Sequence, residues 1–301
     1  APGARRQDRH RAPGSAGMRI AVTGAGGGVG RAFRERGARG HEVIGFAHRD
    51  LPVEDADVVH DRLGSARPDV VLHLAAMTSV DGCEEDPEAA AAVNVRGTAN
   101  VAGAAERSRA ILILLSTDYV FDGEKGEPYD ERDEPNPLSV YGASKLRAEE
   151  VARETLPKER VVVIRTSWVF GAEGEFVRRS VAGLKAGEEL GGIVDQTGTP
   201  TYVRHLAERL LPLVEAGLRG VVHLAGPEPT TWFDVLISAR DLGGLPGSVV
   251  EQKADELDRP APRPRNSALR SVILPGTSVP PMPPLDEALR ELVGEVTRGR
   301  G

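Results

Sequence analysis

Between Thr23 and Arg31 the chain reads Gly24-Ala25-Gly26-Gly27-Gly28-Val29-Gly30. Glycine at this density weakens the interior of a helix or a strand alike, so the segment is a turn. Its flanks say what it joins. Met18-Arg19-Ile20-Ala21-Val22-Thr23 reads as a strand, residues 31–38 as a helix, and Glu42-Val43-Ile44-Gly45-Phe46 as a second strand. Gly24, Gly27 and Gly30 fall at G-x-x-G-x-x-G spacing on the first β-to-α junction. Such a turn lets the backbone approach a pyrophosphate, whose charge is met by amide N–H groups at the helix start. Glycine also simply permits tight turns, but the strand before and the helix after favour dinucleotide binding by Gly24, Gly27 and Gly30.

Further strands are expected at Asp69–Leu74, Ile111–Leu115, Val161–Arg165 and Val221–Leu224, with a helix over roughly 85–107. The run Ile111-Leu112-Ile113-Leu114-Leu115 is unbroken and apolar, which suits a strand covered on both faces. Strands alternating with helices imply an α/β chain with a Rossmann-type, doubly wound parallel sheet. After about residue 171 the pattern changes to helical stretches at 175–186, 203–216, 231–240 and 286–297, joined by Pro- and Gly-rich connections. The expected organisation is a nucleotide-binding domain over 18–170 and a smaller, mostly helical substrate lobe over 171–301, from which a strand at 221–225 returns to the sheet. Residues 1–17, with Arg5, Arg6, Arg9 and Arg11 and no apolar stretch, read as a disordered extension and not as a secretory signal.

Composition excludes several classes. A net charge of −7 argues against nucleic acid as the partner. No apolar run reaches the roughly 20 residues of a membrane span. Cys83 is the only cysteine, so there is no internal disulfide or cysteine metal cluster, and a reducing cytoplasm is the expected setting. The seven histidines show no metal-ligand spacing, and no metal site is read from the residues.

Open α/β sheets bind their ligands at the carboxyl ends of their strands. There the run 111–115 gives way to Ser116-Thr117-Asp118-Tyr119. Tyr141 and Lys145, in Tyr141-Gly142-Ala143-Ser144-Lys145, are four apart and share a helical face. An ammonium there is expected to favour the phenolate and lower the phenol from its usual pKa of about 10. An exposed helix pair without function is the bland alternative. In company with the glycine turn, Tyr141 reads as a general acid for a developing alkoxide, with Thr117 hydrogen-bonding nearby and a nicotinamide as hydride source. At the end of the second strand Ala47-His48-Arg49 precedes the first acid, Asp50. That favours NADPH over NADH, with His48 and Arg49 either meeting a 2′-phosphate or standing as solvated loop residues. His73 reads as a buried structural histidine, Asn94 as a helix residue ordering nearby backbone, and Asp81, Glu84, Glu85 and Asp86 as a solvated helix start.

Together these stretches resemble the extended short-chain dehydrogenase/reductases, and within them the dTDP-4-dehydrorhamnose reductases. The resemblance runs from Met18 to about Leu292. It is carried by 116–123 (Ser-Thr-Asp-Tyr-Val-Phe-Asp-Gly), 137–146 (Pro-Leu-Ser-Val-Tyr-Gly-Ala-Ser-Lys-Leu), 165–171 (Arg-Thr-Ser-Trp-Val-Phe-Gly), 195–201 (Asp-Gln-Thr-Gly-Thr-Pro-Thr) and 263–267 (Arg-Pro-Arg-Asn-Ser). It implies reduction of the C4 ketone of a nucleotide-linked 4-keto-6-deoxy sugar, dTDP-4-dehydro-L-rhamnose foremost. Tyr141 would be the proton donor, Lys145 would tune it and hold the nicotinamide ribose, and Thr117 would complete the set. Thr117, Asp118 and Trp168 would meet the sugar, Gly27, Gly28 and Val29 would bind the pyrophosphate, and Ala75, Ala76, Met77 and Leu115 would line the cofactor. The chain departs from many relatives at Ala47, where they carry an acid, and at Leu51-Pro52-Val53, where they carry Leu-Asp-Ile; both bear on cofactor choice. Some members use Mg2+ at a dimer contact made by glutamates, so a homodimer and Mg2+ enter the expectation without assigned positions. The alternatives are a related reductase of the dihydrostreptose type, a nucleotide-sugar epimerase or dehydratase, and a non-catalytic regulatory subunit like that of methionine adenosyltransferase.

Overall fold

The structure is a computed structural model and describes residues 17–299. All but one residue of the extension read at 1–17 lie outside the described residues. In chain order the elements are β1 (Arg19–Thr23), α1 (Gly28–Ala32), which continues as a π turn (Phe33–Gly37), β2 (Glu42–Phe46), α2 (Ala56–Ala66) and β3 (Val70–His73). Next come α3 (Val80–Glu85), α4 (Pro87–Ala90), a π turn (Ala91–Arg96) and α5 (Gly97–Ser108). Then follow β4 (Ile111–Thr117), α6 (Val140–Thr155), β5 (Val161–Thr166) and β6 (Val169–Phe170). The remainder is α7 (Phe176–Ala186), β7 (Glu189–Ile193), β8 (Thr201–Tyr202), α8 (Val203–Glu215), β9 (Gly220–His223), α9 (Trp232–Gly243), β10 (Ser248–Gln252) and α10 (Leu285–Thr297).

Six strands form one sheet in the order β2-β1-β3-β4-β5-β9, and every pairing is parallel. Because strand side chains alternate between faces, the sheet feeds two cores. Ile20, Val22, Val162 and Ile164 pack with Phe33, Leu206 and Leu210 on one face; Ala21, Val71, Leu112 and Val163 pack with Val59, Val101 and Ala105 on the other. β1 is flanked by β2 on one side and β3 on the other, so strand order reverses between β1 and β3 and opens a crevice at their carboxyl ends.

After β5 the chain builds α7, α9, α10 and two small parallel pairs, β7–β10 and β6–β8, beside those carboxyl ends. β9 is not the only element of this half on the main sheet. The helix α8, whose Leu206 and Leu210 join the Phe33 core, covers the same face as α1. α8 and α10 are tied to the turn after α1 by charge: Arg36 pairs with Glu208 and Glu291, and Arg204 with Glu291 and Glu295. Among the described residues no helix is long and apolar enough to cross a membrane.

Candidate active site

The site lies where β1, β3 and β4 end. β1 runs straight into the glycine turn, which Gly27 closes by donating to the Gly24 carbonyl at 3.0 Å. Gly24 sits at φ +67°, and a Cβ there would stand 2.6 Å from the Ala75 nitrogen. At Gly30 a Cβ would meet the Ala25 Cα and the Gly24 oxygen at 2.7 Å. Any side chain at either position would push β1, β3 and α1 apart. The turn is thus held flat against the end of β3, with the start of α1 facing the crevice; this cradle fits a dinucleotide pyrophosphate.

The crevice is a cavity of about 1020 Å³. One wall is Gly24, Gly27, Gly28, Val29, Gly30 and His48, and its floor carries Ala75, Ala76, Met77 and Leu115. The opposite wall presents Thr117, Asp118, Tyr141, Lys145 and Trp168. The structure therefore brings together every residue read from sequence as a cofactor, substrate or catalytic contact except Arg49. That side chain is 88% exposed and turned to Asp50 at 3.6 Å, away from the cavity. A solvated tip of the turn is the better description of it here. The Asp50 carboxylate folds back to accept from the Ala47 N–H at 3.3 Å, capping the end of β2.

Ser116 and Thr117 belong to β4 itself, which runs two residues beyond the apolar stretch. Thr117 starts a single helical turn, Asp118–Val120, by accepting from the Tyr119 N–H at 3.2 Å. α6 begins after Ser139, which caps it by accepting from the Gly142 N–H, and carries Tyr141 and Lys145 toward the end of β4. Lys145 Nζ donates to the Leu115 carbonyl at 2.8 Å.

Electrostatics correct one expectation. The Tyr141 phenol is pushed above its usual range, not below it. Burial is the first cause, with the Asp118, Tyr119 and Cys83 charges adding to it, and only the Thr117 hydroxyl pulls the other way. Burial also brings Lys145 down to about 8, against which the Glu149 charge acts. Reading the pair in isolation missed the desolvation, which penalises both charged forms. Asp118 is buried and pushed up to about 6, although the hydroxyls of Ser267, Ser167 and Thr117 hold its carboxylate. His73 is buried between Thr23 and Thr98, at 2.7 and 3.1 Å, and is driven down to about 3 by burial and by Lys145, as suits a structural imidazole.

Support from outside the cavity is only partly legible in the sequence. Asn94, set in the π turn before α5, takes the Met77 N–H at 2.8 Å and donates to the Met77 carbonyl and to Ser144, so it fixes the end of β3 against α6. Glu149, one turn beyond Lys145, makes a buried two-pronged pair with Arg165 at 3.0 and 2.8 Å and accepts from Ser116. Asp81 is not a solvated acid. Its carboxylate grips Arg263 at 3.0 and 2.6 Å and accepts from the Ala261 N–H. Glu84 caps α6 through the Val140 N–H. No sequence signal announces Trp232, stacked on Trp168 at 4.1 Å and 9°, nor Phe176, set edge-on to it. Trp168 itself takes a left-handed φ of +46°, a conformation that costs a large side chain energy and is kept where the surroundings enforce it. Among the described residues no group of three or more His, Cys, Asp or Glu is placed to hold a metal ion, so no step here is assigned to Mg2+.

Comparison with known proteins agrees with this architecture. The family model described as RmlD substrate binding domain matches residues 18–298. A dTDP-4-dehydrorhamnose reductase of Mycolicibacterium smegmatis is 36% identical over 285 residues, covering 93% of this chain and 86% of that protein. One from Sinorhizobium fredii is 35% identical, covering 92% and 97%. The crystal structure of dTDP-4-dehydrorhamnose reductase from Bacillus anthracis in complex with NADP superposes with a TM-score of 0.88 at 30% identity, covering 93% of this chain and 99% of that one. The chain belongs to the RmlD substrate-binding family, that of the dTDP-4-dehydrorhamnose reductases.

Proposed function

We propose that this protein reduces the C4 ketone of a nucleotide-linked 4-keto-6-deoxy sugar, dTDP-4-dehydro-L-rhamnose to dTDP-L-rhamnose, with NADPH as the preferred reductant. The observation that carries the reading is the convergence of Thr117, Tyr141 and Lys145 on one wall of a cavity whose other wall is the glycine cradle. A bound nicotinamide supplies the hydride.

The protein's part is proton delivery and placement. Burial keeps the Tyr141 phenol protonated at neutral pH, which is the state a proton donor needs before the reaction. As negative charge grows on the C4 oxygen, Tyr141 gives up its proton to it. Lys145 has three N–H bonds and spends one on the Leu115 carbonyl, leaving two for the phenolate that forms and for a ribose hydroxyl. The Thr117 hydroxyl is the phenol's second support. Asp118 presents a buried carboxylate, steadied by Thr117 at 2.9 Å and Ser167 at 2.8 Å, to the hydroxyls of a sugar lying against Trp168.

His48 is the cavity-lining group at the end of β2 suited to a 2′-phosphate, and the lack of an acid at Ala47 supports NADPH. A single cysteine, Cys83, buried and free, suits the reducing cytoplasm as the place of action. The test is oxidation of NADPH or NADH by purified protein with a panel of nucleotide sugars. Dependence on a 4-keto-6-deoxy sugar supports the reading; cofactor retained through purification and a product epimerised without net oxidation contradict it.

A further inference from the structure

Residues 171–175, between β6 and α7, cross from the lobe to the glycine cradle. Both ends of this segment are held. The Gly171 N–H donates to the Glu175 carboxylate at 3.0 Å, and the Gly171 carbonyl accepts from Arg178 at 3.2 Å. The same carboxylate caps α7 by accepting from the Val177 N–H at 2.9 Å. Ala172, Glu173 and Gly174 span the gap. Ala172 lines the cavity and stands on Gly28, the first residue of α1: a Cβ on that glycine would lie 2.5 Å from the Ala172 Cβ. Glu173 then reaches Arg31 of α1 at 2.9 Å, and Arg31 donates to the Gly26 carbonyl at 2.8 Å. The lobe is thereby tied to the glycine turn itself.

This bridge lies at the end of α1 where a pyrophosphate is met. Its fastening there is light, for Arg31 and Glu173 are 58% and 78% exposed in their side chains. Such a pair shifts an equilibrium by a few-fold at most, too little to fix a lobe but enough to bias a three-residue bridge. Gly174 takes φ +74° with nothing within 4 Å of where a Cβ would stand, so its glycine backbone permits a bend that no packing enforces. A short span between fixed posts, lightly tied at its middle, has the build of a gate.

We infer that residues 172–174 form a clasp across the cofactor's pyrophosphate site, latched by Glu173 on Arg31, and that this latch sets how fast NADPH enters and leaves. The inference rests on the nicotinamide-cofactor reading above and adds to it a device for cofactor exchange. A latch acts on both directions alike, because entry waits for the open form and so does release. Loosening it raises both rates with affinity almost unchanged, whereas loss of an ordinary contact raises release and weakens binding.

The test is rapid mixing of the protein with NADPH, and displacement of bound NADPH by excess NADP+, in wild type, Glu173→Ala and Gly174→Ala. Equilibrium titration gives the NADPH affinity of each, and an unchanged melting temperature reports an intact fold. Glu173→Ala removes the latch. Gly174→Ala leaves the ion pair in place but strains the closed backbone, since an L side chain resists φ +74°. Each variant is expected to raise association and dissociation rates together, about two- to fivefold, while the dissociation constant stays within about twofold of wild type. Faster release with a matching loss of affinity, or wild-type rates in both variants, would overturn the clasp and leave the cofactor reading in place. A wild-type protein that binds no NADPH would overturn both.

Discussion

Lys145 and Leu115 are joined by a 2.8 Å hydrogen bond from the ammonium to the main-chain carbonyl, which pins α6 to the end of β4 where both elements supply reactive side chains. One turn further along α6, Glu149 grips Arg165 of the neighbouring strand β5 and accepts from Ser116 of β4. Helix and two strands are thereby locked in register behind the cavity. Glu149 is 0% and Arg165 4% exposed in their side chains, so removing one partner leaves an unmatched charge in the core. Glu149→Ala should cost about 3–5 kcal/mol in urea unfolding, and far more than any surface pair of the chain. A loss below about 1 kcal/mol would mean that water reaches Arg165.

Asp118 should make the protein less stable as pH rises. Its folded pKa is raised from 3.8 to about 6, so the folded state holds a proton that the unfolded chain has released. The associated stability is complete below about pH 4 and is lost as pH climbs through 6, a change of about 3 kcal/mol. Asp118→Asn removes this dependence. Relative to wild type, the variant should gain stability between pH 4 and pH 7 in paired denaturation curves while losing affinity for the nucleotide sugar. A difference that does not vary with pH would show that the carboxyl is ionised throughout.

The stacked indoles of Trp168 and Trp232 form the apolar platform of the cavity. Trp232→Ala should raise KM for the nucleotide sugar about three- to tenfold, as expected for losing an aromatic pair, with NADPH affinity unchanged. An equal loss for both ligands would point instead to collapse of the lobe.

Cofactor choice separates His48 from Arg49. Arg49→Ala is expected to leave the NADPH-to-NADH ratio of kcat/KM within about twofold, because its side chain faces solvent and Asp50, at the worth of an exposed pair. His48→Ala should shift the ratio toward NADH. The reverse outcome would return Arg49 to the 2′-phosphate site.

Features of this molecule that are written in short stretches are legible in the amino-acid sequence alone. The glycine turn, the run Ile111–Leu115 and the Tyr141–Lys145 spacing each depend on neighbours a few residues away, and they place the sheet and most of the cavity. What stays hidden depends on distance along the chain. Asp81 reads as a solvated acid because its partner, Arg263, is 182 residues away. Trp232 becomes visible only once Trp168 lies on it. The helix α2 and the strands β7 and β10, short or half-exposed, have too weak a periodicity to announce themselves. The direction of the Tyr141 shift is misjudged for the same reason: a pair of residues carries no measure of how much protein will bury it.

The central claim is that Tyr141 delivers the proton in a nicotinamide-linked reduction of a nucleotide sugar, and one measurement tests it most directly. NADPH oxidation is followed with dTDP-4-dehydro-L-rhamnose for wild type and Tyr141→Phe, with NADPH binding measured on both. The account predicts formation of dTDP-L-rhamnose by wild type, and kcat lowered about 10²–10⁴-fold in the variant with NADPH still bound. Undiminished turnover by Tyr141→Phe, or no sugar-dependent oxidation by wild type, would contradict it.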